Sequence, residues 1–428
     1  MTGCSWWRVD GLRAQNADNS SGGQADGFPF RFEKVRHVTG RRLLGSHNNR
    51  QLNTHVYLVA NSEQVLLEEC EAYFFHRHAF SIWKSRHITL RRCYANSMLY
   101  GQNDCCSSVD NRDYGDEAVS LYGTSDSIVE NSVSENEANG YQIHGIGNDL
   151  DPSGNGGRNN RILGSISFDD SVPAVVASRS DGPSDYHNAS GNVFRDFVVV
   201  RASGNGIYFR GSADSRAENV TLYGSTSNSG LAADDGNGGL GGTCSPSPVC
   251  STGGGSCSSN DDCGSGVCTR NPEGCSFTAT NTLSVNNASY GLSATQHTFL
   301  IDFANAAGNG DNYGMSESIG DSSGSVRSSL SQMPSGVGLG SGQCILWIPP
   351  GSNMKGAGKG GADIGATILR RYEGGQLTAK PLWDPATGRF PCGRVIPGIN
   401  DGQKRCENLH QRLNVNTNGC PFPPGYGS

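Results

Sequence analysis

The sequence predicts an all-β fold, a right-handed parallel β-helix with a disulfide-rich insertion and a C-terminal cap, on three observations. Gly supplies 60 of 428 residues, only 35% are hydrophobic and Met is nearly absent, the balance of a chain that turns often and buries a narrow apolar strip. Short apolar segments return in a fixed order of strand, polar turn and strand. Where their spacing is uneven, the excess falls in polar stretches rich in Gly, Asn and Asp, as repeat folds permit.

The repeat is plainest in Gln64 to Lys84 (QVLLEECEAYFFHRHAFSIWK), Ser127 to Gly145 (SIVENSVSENEANGYQIHG) and Asn192 to Gly211 (NVFRDFVVVRASGNGIYFRG). The first strand of each coil places one apolar residue five positions before another: Val65 and Cys70, Ile88 and Cys93, Ile128 and Val133, Val193 and Val198. Val65 to Ile88 spans 23 residues and Ile88 to Ile128 spans 40, the surplus lying around Asn103 to Gly115. A second strand follows with period-2 alternation: Phe28 and Phe30, Val56 and Leu58, Phe80 and Ile82, Val119 and Leu121, Tyr141 and Ile143, Ile207 and Phe209, Leu292 and Ala294. Stacked copies would set these inward residues in continuous ladders. A two-sheet sandwich would not return its strands in so regular a register. The coils are expected over residues 1–307.

Fifteen cysteines point to an oxidising compartment, hence a secreted, extracellular or cell-surface protein. Six of them, from Cys244 to Cys275, fall in a Cys-rich insertion expected over 236–276. Their spacing lacks paired C-x-x-C knuckles and no His lies among them, which argues for disulfides over zinc. Cys70 and Cys93 occupy equivalent inward sites in successive coils, either bonded or serving as small buried apolar groups. No charged and apolar leader precedes Cys4, so a signal peptide has been removed or the chain begins inside the fold. Residues 308–428, with prolines and the string GGADIGA from Gly360, read as an irregular cap or appended module covering the last coil.

A net charge of −7 without long like-charge runs argues against a nucleic-acid partner. No apolar run approaches the roughly 20 residues of a membrane span. A monomer is the expected state.

Over roughly Ser5 to Phe303 these repeats resemble the right-handed parallel β-helix superfamily, the pectate-lyase-like secreted bacterial repeat proteins. That superfamily includes polysaccharide lyases, glycosidases, epimerases, adhesins and phage tail spikes, so the resemblance implies architecture and leaves chemistry open. The signature strings of pectate lyases are missing, as are the paired Asp and Arg-Ile-Lys motifs of polygalacturonases. No family's catalytic residues carry over by position, and no nucleotide loop, H-E-x-x-H or G-x-S-x-G occurs.

Chemistry is sought on the exposed residues of the second strand, read as Tyr57, Trp83, Tyr122, His144, Ser178 and Arg210. Aromatic faces stack on sugar rings and side-chain forks hold hydroxyls or carboxylates. Sheets also expose aromatics simply for cross-strand pairing. The densest polar cluster, Phe74 to Arg92, is basic within an acidic chain. Removing the proton beside a uronate carboxylate needs a cation to withdraw charge from that carboxylate and a base to take the proton. The expected function is therefore a polysaccharide lyase cleaving an acidic, uronic-acid glycan by β-elimination. His78, Lys84 or His144 would be the base, Tyr122 the acid, and Arg77 or Arg210 the carboxylate clamp. Tyr57, His76, Trp83, Arg179, Tyr208 and Arg210 would bind substrate. One alternative is a glycoside hydrolase using Asp116 or Glu117 with Asp149; the other is a non-catalytic adhesive or matrix-forming rod. The Asp-rich loops supply Asp113, Asp116, Asp149 and Asp151 as candidate Ca²⁺ ligands, as in several β-helix lyases, although Asp also caps turns for structural reasons.

Overall fold

The computed structural model describes residues 1–15, 27–46, 55–75, 77–97, 117–145, 156–182, 185–187, 189–210, 212, 214–234, 249–250, 268–269, 276–294, 298–315, 320–321, 326–327, 344–393, 406, 409–413, 420 and 422–428. Within them the chain is a parallel β-helix whose coils pair strand upon strand in two large sheets. Crossovers between parallel strands are right-handed in nearly all proteins.

The front sheet stacks Phe30–Glu33, His55–Ala60, His78–Trp83, Glu117–Tyr122, Asn139–Gly145, Val172–Gly182, Ile207–Arg210, Leu231–Asp234, Tyr290–Ala294 and Asp311–Met315. The eighteen-stranded sheet forms the other two sides of each coil, which bend into one another. From Val193–Val200 onward the two sides are single long strands such as Ser215–Tyr223 and Ser276–Val285. Asp311–Met315 and Val326–Arg327 carry the ladders past residue 307. The pair Val249–Cys250 and Cys268–Thr269 is antiparallel and stands apart from the coils; the remainder of the Cys-rich stretch lies outside the described residues.

The bend between the second and third sides is made at one residue per coil, at Arg42, Glu69, Arg92, Asn131, Gly164, Asp196, Asn219, Asn281 and Phe303, all with positive φ. Only Gly adopts that conformation freely, and Asn and Asp tolerate it better than other side chains. Where Glu69 and Arg92 stand instead, ion pairs hold the corner: Arg92 contacts Glu68 at 2.6 Å and Glu69 at 3.3 Å. Next to the bend, Arg41, Glu68, Arg91 and Glu130 alternate in sign from coil to coil, with contacts of 2.9, 3.4 and 2.5 Å. The alternation sets opposite charges against each other on neighbouring coils, which supports the stacking.

Two inward rows of the front sheet fill the core. One runs Phe30, Tyr57, Phe80, Val119, Tyr141, Ala174, Ile207 and Leu231; the other runs Phe32, Val59, Ile82, Leu121, Ile143, Val176, Phe209 and Ala233. Of the expected inward pair Val56 and Leu58, Val56 is buried in the core, but Leu58 faces outward and the inward rows run through Tyr57 and Val59; likewise Phe28 gives way to Phe32 beside Phe30. A slip of one residue exchanges the two faces of a strand. Tyr57 is therefore a core residue and not a sugar platform: it is 0% exposed, and its hydroxyl donates to the carbonyls of Leu43 and Glu71. Ile88 aligns with Ser127 rather than Ile128, because Thr89 pairs with Ile128. Cys70 and Cys93 are buried, stacked in register and unbonded.

The described residues from Cys344 to Ser428 pack along the flank of the coils rather than only over the last one. Their second apolar core joins Ile345, Leu346, Trp347, Ile348, Trp383, Leu409 and Leu413 to the outward residues Tyr94, Val133, Ile166, Phe168, Val198, Val200, Leu283 and Val285 of the third side. Outward rows this apolar need a cover, and this segment supplies it. Cys344–Cys420 and Cys392–Cys406 are bonded within it.

Candidate functional site on the front sheet

The outward side chains of the front sheet fall in three rows. At the start of the strands, His55, His78, Glu117 and Asn139 align in register. The middle row is Leu58, Ser81, Ser120, Gln142, Val175 and Tyr208. The last row is Ala60, Trp83, Tyr122 and His144, with Arg210 two coils further along the same register. In register, His144 and Arg210 align with Ala177, and the expected Ser178 aligns with Gly145.

Over adjacent coils these rows converge. The Tyr122 ring stacks on His144 at 4.3 Å and on Trp83 at 5.6 Å, and lies 6.2 Å from His78. His78 is 4.5 Å from His55, which stacks on Phe28 at 5.4 Å. The Nε2 of His78 contacts the carboxylate of Glu117. Although they point away from the coil interior, His55, His78, Glu117, Tyr122 and His144 are all buried, whereas Trp83 is 40% exposed and marks the open edge of the cluster.

Burial controls the charges. It pushes the Glu117 carboxyl up to about 8, opposed by the nearby positive charge of Arg77. His55 is held neutral, its pKa pushed down to about 2 by burial and then by His78 and Arg77. The site therefore pairs a carboxylic acid that keeps its proton near neutral pH with imidazole and phenol groups. These are the components of proton transfer at a carbon beside a carboxylate.

Several polar atoms on this face have no hydrogen-bond partner among the described residues: Nδ1 of His55, Oγ of Ser120, Oε1 of Gln142 and Nε of Arg210. Buried polar atoms are nearly always paired, and each exception calls for an explanation.

Of the residues singled out from sequence, His78, Glu117, Tyr122, His144 and Trp83 come together here, and Arg77 precedes the His78 strand, its carbonyl accepting from the Glu117 N–H at 3.0 Å. Lys84 stands at the turn that leaves this strand, with positive φ, rather than on the face. Tyr208 and Arg210 lie on the same face two coils beyond Gln142 and His144, about 10 Å along the stack at the usual strand spacing. Arg179 belongs to the strand Val172–Gly182, and its side chain lies outside the described residues. His76, Asp113, Asp116, Asp149 and Asp151 also lie outside them, and with them the Ca²⁺ expectation. Among the described residues, three potential ligand atoms within 4.8 Å of one another occur at Glu71, Cys392 and Cys406, and those two sulfurs are bonded to each other. His55, Ser120 and Gln142 escaped the sequence reading. The spacing from His55 to His78 equals the 23-residue coil from Val65 to Ile88, a signal that would have found the first of them.

No protein-family model matches the chain, and no curated protein matches it. Among solved structures, the A-module of the mannuronan C-5 epimerase AlgE6 of Azotobacter vinelandii is similar to it over 72% of this chain and 75% of that one, with a TM-score of 0.36 and 10% sequence identity. No activity transfers from a likeness at that level. No helix among the described residues is long and apolar enough to cross a membrane.

Proposed function

We propose that the protein is a secreted, carbohydrate-active enzyme, a polysaccharide lyase acting on a uronic-acid glycan at the front face. The observation that carries this reading is the convergence of His78, Glu117, Tyr122 and His144 on neighbouring coils. Trp83 provides an exposed ring on which a sugar stacks. Glu117, protonated near neutral pH, and the Arg77 guanidinium receive the substrate carboxylate and stabilise charge that develops on it. His144 removes the proton from the carbon bearing that carboxylate. The electron pair forms the new C=C bond as the neighbouring C–O bond breaks, and Tyr122 delivers a proton to the departing oxygen. Atoms and charge balance without water entering the products.

The test is incubation with alginate, pectate and glycosaminoglycans, with and without Ca²⁺, while following the absorbance of unsaturated uronates. A rise that disappears in His144→Gln and Tyr122→Phe is the expected result. New reducing ends without that absorbance would replace the lyase with a hydrolase. Binding with neither signal would leave a non-catalytic rod.

A further inference from the structure

Ser120 and Gln142 sit side by side in the middle outward row, on strands that pair Ser120 directly with Gln142. They lie between Glu117 in the first row and the Tyr122 and His144 rings in the last. Ser120 is 0% exposed, yet its hydroxyl has no hydrogen-bond partner among the described residues, and the Oε1 of Gln142 is likewise buried without one. A buried hydroxyl and a buried amide oxygen left unmet cost the protein stability. Apolar residues at the same places would remove that cost. Two such atoms on adjacent strands, in the row between Glu117 and the Tyr122 and His144 rings, have the arrangement expected of atoms that meet a ligand.

We propose that Ser120 and Gln142 read an unsubstituted pair of neighbouring hydroxyls on the uronate ring, and so restrict the enzyme to polyuronates free of O-acetyl or O-sulfate groups at those positions. The inference rests on the uronan reading above and deepens it. Gln142 Oε1 accepts from one hydroxyl, and Ser120 Oγ, which both donates and accepts, meets the other. An acetyl or sulfate ester takes away the donor that Gln142 needs and adds bulk beside these buried atoms. A site built to pair a hydroxyl discriminates strongly against an analogue that lacks it, because its own polar atoms are then left unpaired. The two residues are specificity determinants, and they take no part in moving the proton.

The experiment uses the full chain and three readouts. Affinity for a defined oligouronate is measured by calorimetry, before and after chemical O-acetylation of the sugar. Turnover of the same sugar gives kcat and KM, and urea denaturation of the free protein gives stability. Ser120→Ala and Gln142→Leu should each weaken binding about five- to tenfold, the loss expected for one neutral hydrogen bond. KM should rise with kcat nearly unchanged, and the free variants should be at least as stable as the parent. Acetylation should weaken binding to the parent by about tenfold or more and weaken binding to the variants less. Unchanged affinity in both variants overturns the inference. So does a free Ser120→Ala protein that is clearly less stable, since that would show the hydroxyl to be satisfied within the fold. Binding that shows these losses without any elimination would refute the lyase and keep the diol subsite. Elimination that ignores both substitutions and the acetyl groups would refute the subsite and keep the lyase.

Discussion

The front sheet and the third side of the coil are built from the same repeat, yet their outward faces have opposite characters. On the third side the outward rows are apolar and lie under the segment from Cys344, and many polar groups along that seam are met, although Nε1 of Trp347 and Nε2 of His410 are buried there without a hydrogen-bond partner among the described residues. Asp196 accepts from the Tyr372 hydroxyl, Asn131 accepts from the Tyr372 N–H at 2.6 Å, and the carboxylate of Glu130 accepts from the Gly374 and Gly375 amides at 3.1 and 2.9 Å. Asn281 accepts from the Lys359 N–H at 2.7 Å, and Glu135 pairs with Arg412. On the front sheet, buried groups of comparable polarity are left unmet at His55, Ser120, Gln142 and Arg210. The flank meets carboxylates and amides with partners from the C-terminal segment, whereas the front sheet aligns its unmet groups on neighbouring strands beside titratable side chains, the pattern expected of a functional surface.

Four substitutions or titrations break or sharpen this contrast. The largest effect on stability is expected at the flank, where Trp383 is 1% exposed and its indole N–H donates to the Ile368 carbonyl at 2.8 Å. Trp383→Ala should cost about 3–5 kcal/mol in urea denaturation, and a loss under about 1 kcal/mol would mean that the segment is not part of the fold's core. On the front face, His144→Gln should lower turnover by about a hundredfold or more with little change in the unfolding midpoint. If activity and stability fell together, the two faces would not differ as described.

Tyr372→Phe comes next. It removes the donor to a buried carboxylate and should cost about 1–3 kcal/mol, whereas Ser120→Ala on the front face should cost nothing. Equal losses at the two sites would erase the distinction.

The smallest effect is a slope. Burial raises the Glu117 carboxyl from its ordinary 4.5 to about 8 in the folded protein, so the folded state holds that proton when the unfolded chain has released it. Stability from this group is complete below about pH 4.5 and is lost as pH rises through about 8. Asp170 and Asp196, raised by burial to about 7 and about 6, act in the same sense over a lower range. Glu117→Gln should flatten the alkaline part of the profile. An unchanged slope between neutrality and pH 8 would show that Glu117 is already ionised in the native protein.

Sequence periodicity made the coils legible, because strands such as Phe80 to Ile82 and Val119 to Leu121 alternate cleanly between apolar and polar residues. It failed at Tyr57 and Leu58, because His55 to Ala60 is apolar almost throughout and strict alternation from the buried Val56 points Leu58 inward, whereas Val56 and Tyr57 are both in the core. The position of the C-terminal segment was hidden for a different reason: the outward residues Val198, Val200, Leu283 and Val285 read as ordinary strand residues, and nothing in their order names the chain that covers them. Half of the candidate site was visible as chemistry, in His78, Glu117, Tyr122 and His144. Ser120 and Gln142 were not, since a hydroxyl or amide is common in any strand and only its lack of a partner in three dimensions sets it apart.

Cleavage of an oligouronate in water enriched in heavy oxygen, with the products weighed by mass spectrometry, tests the central claim most directly. The account predicts fragments whose masses sum to that of the substrate, one bearing the new double bond and neither carrying the isotope. Fragments that together exceed the substrate by one labelled water, or no fragments at all, would contradict it.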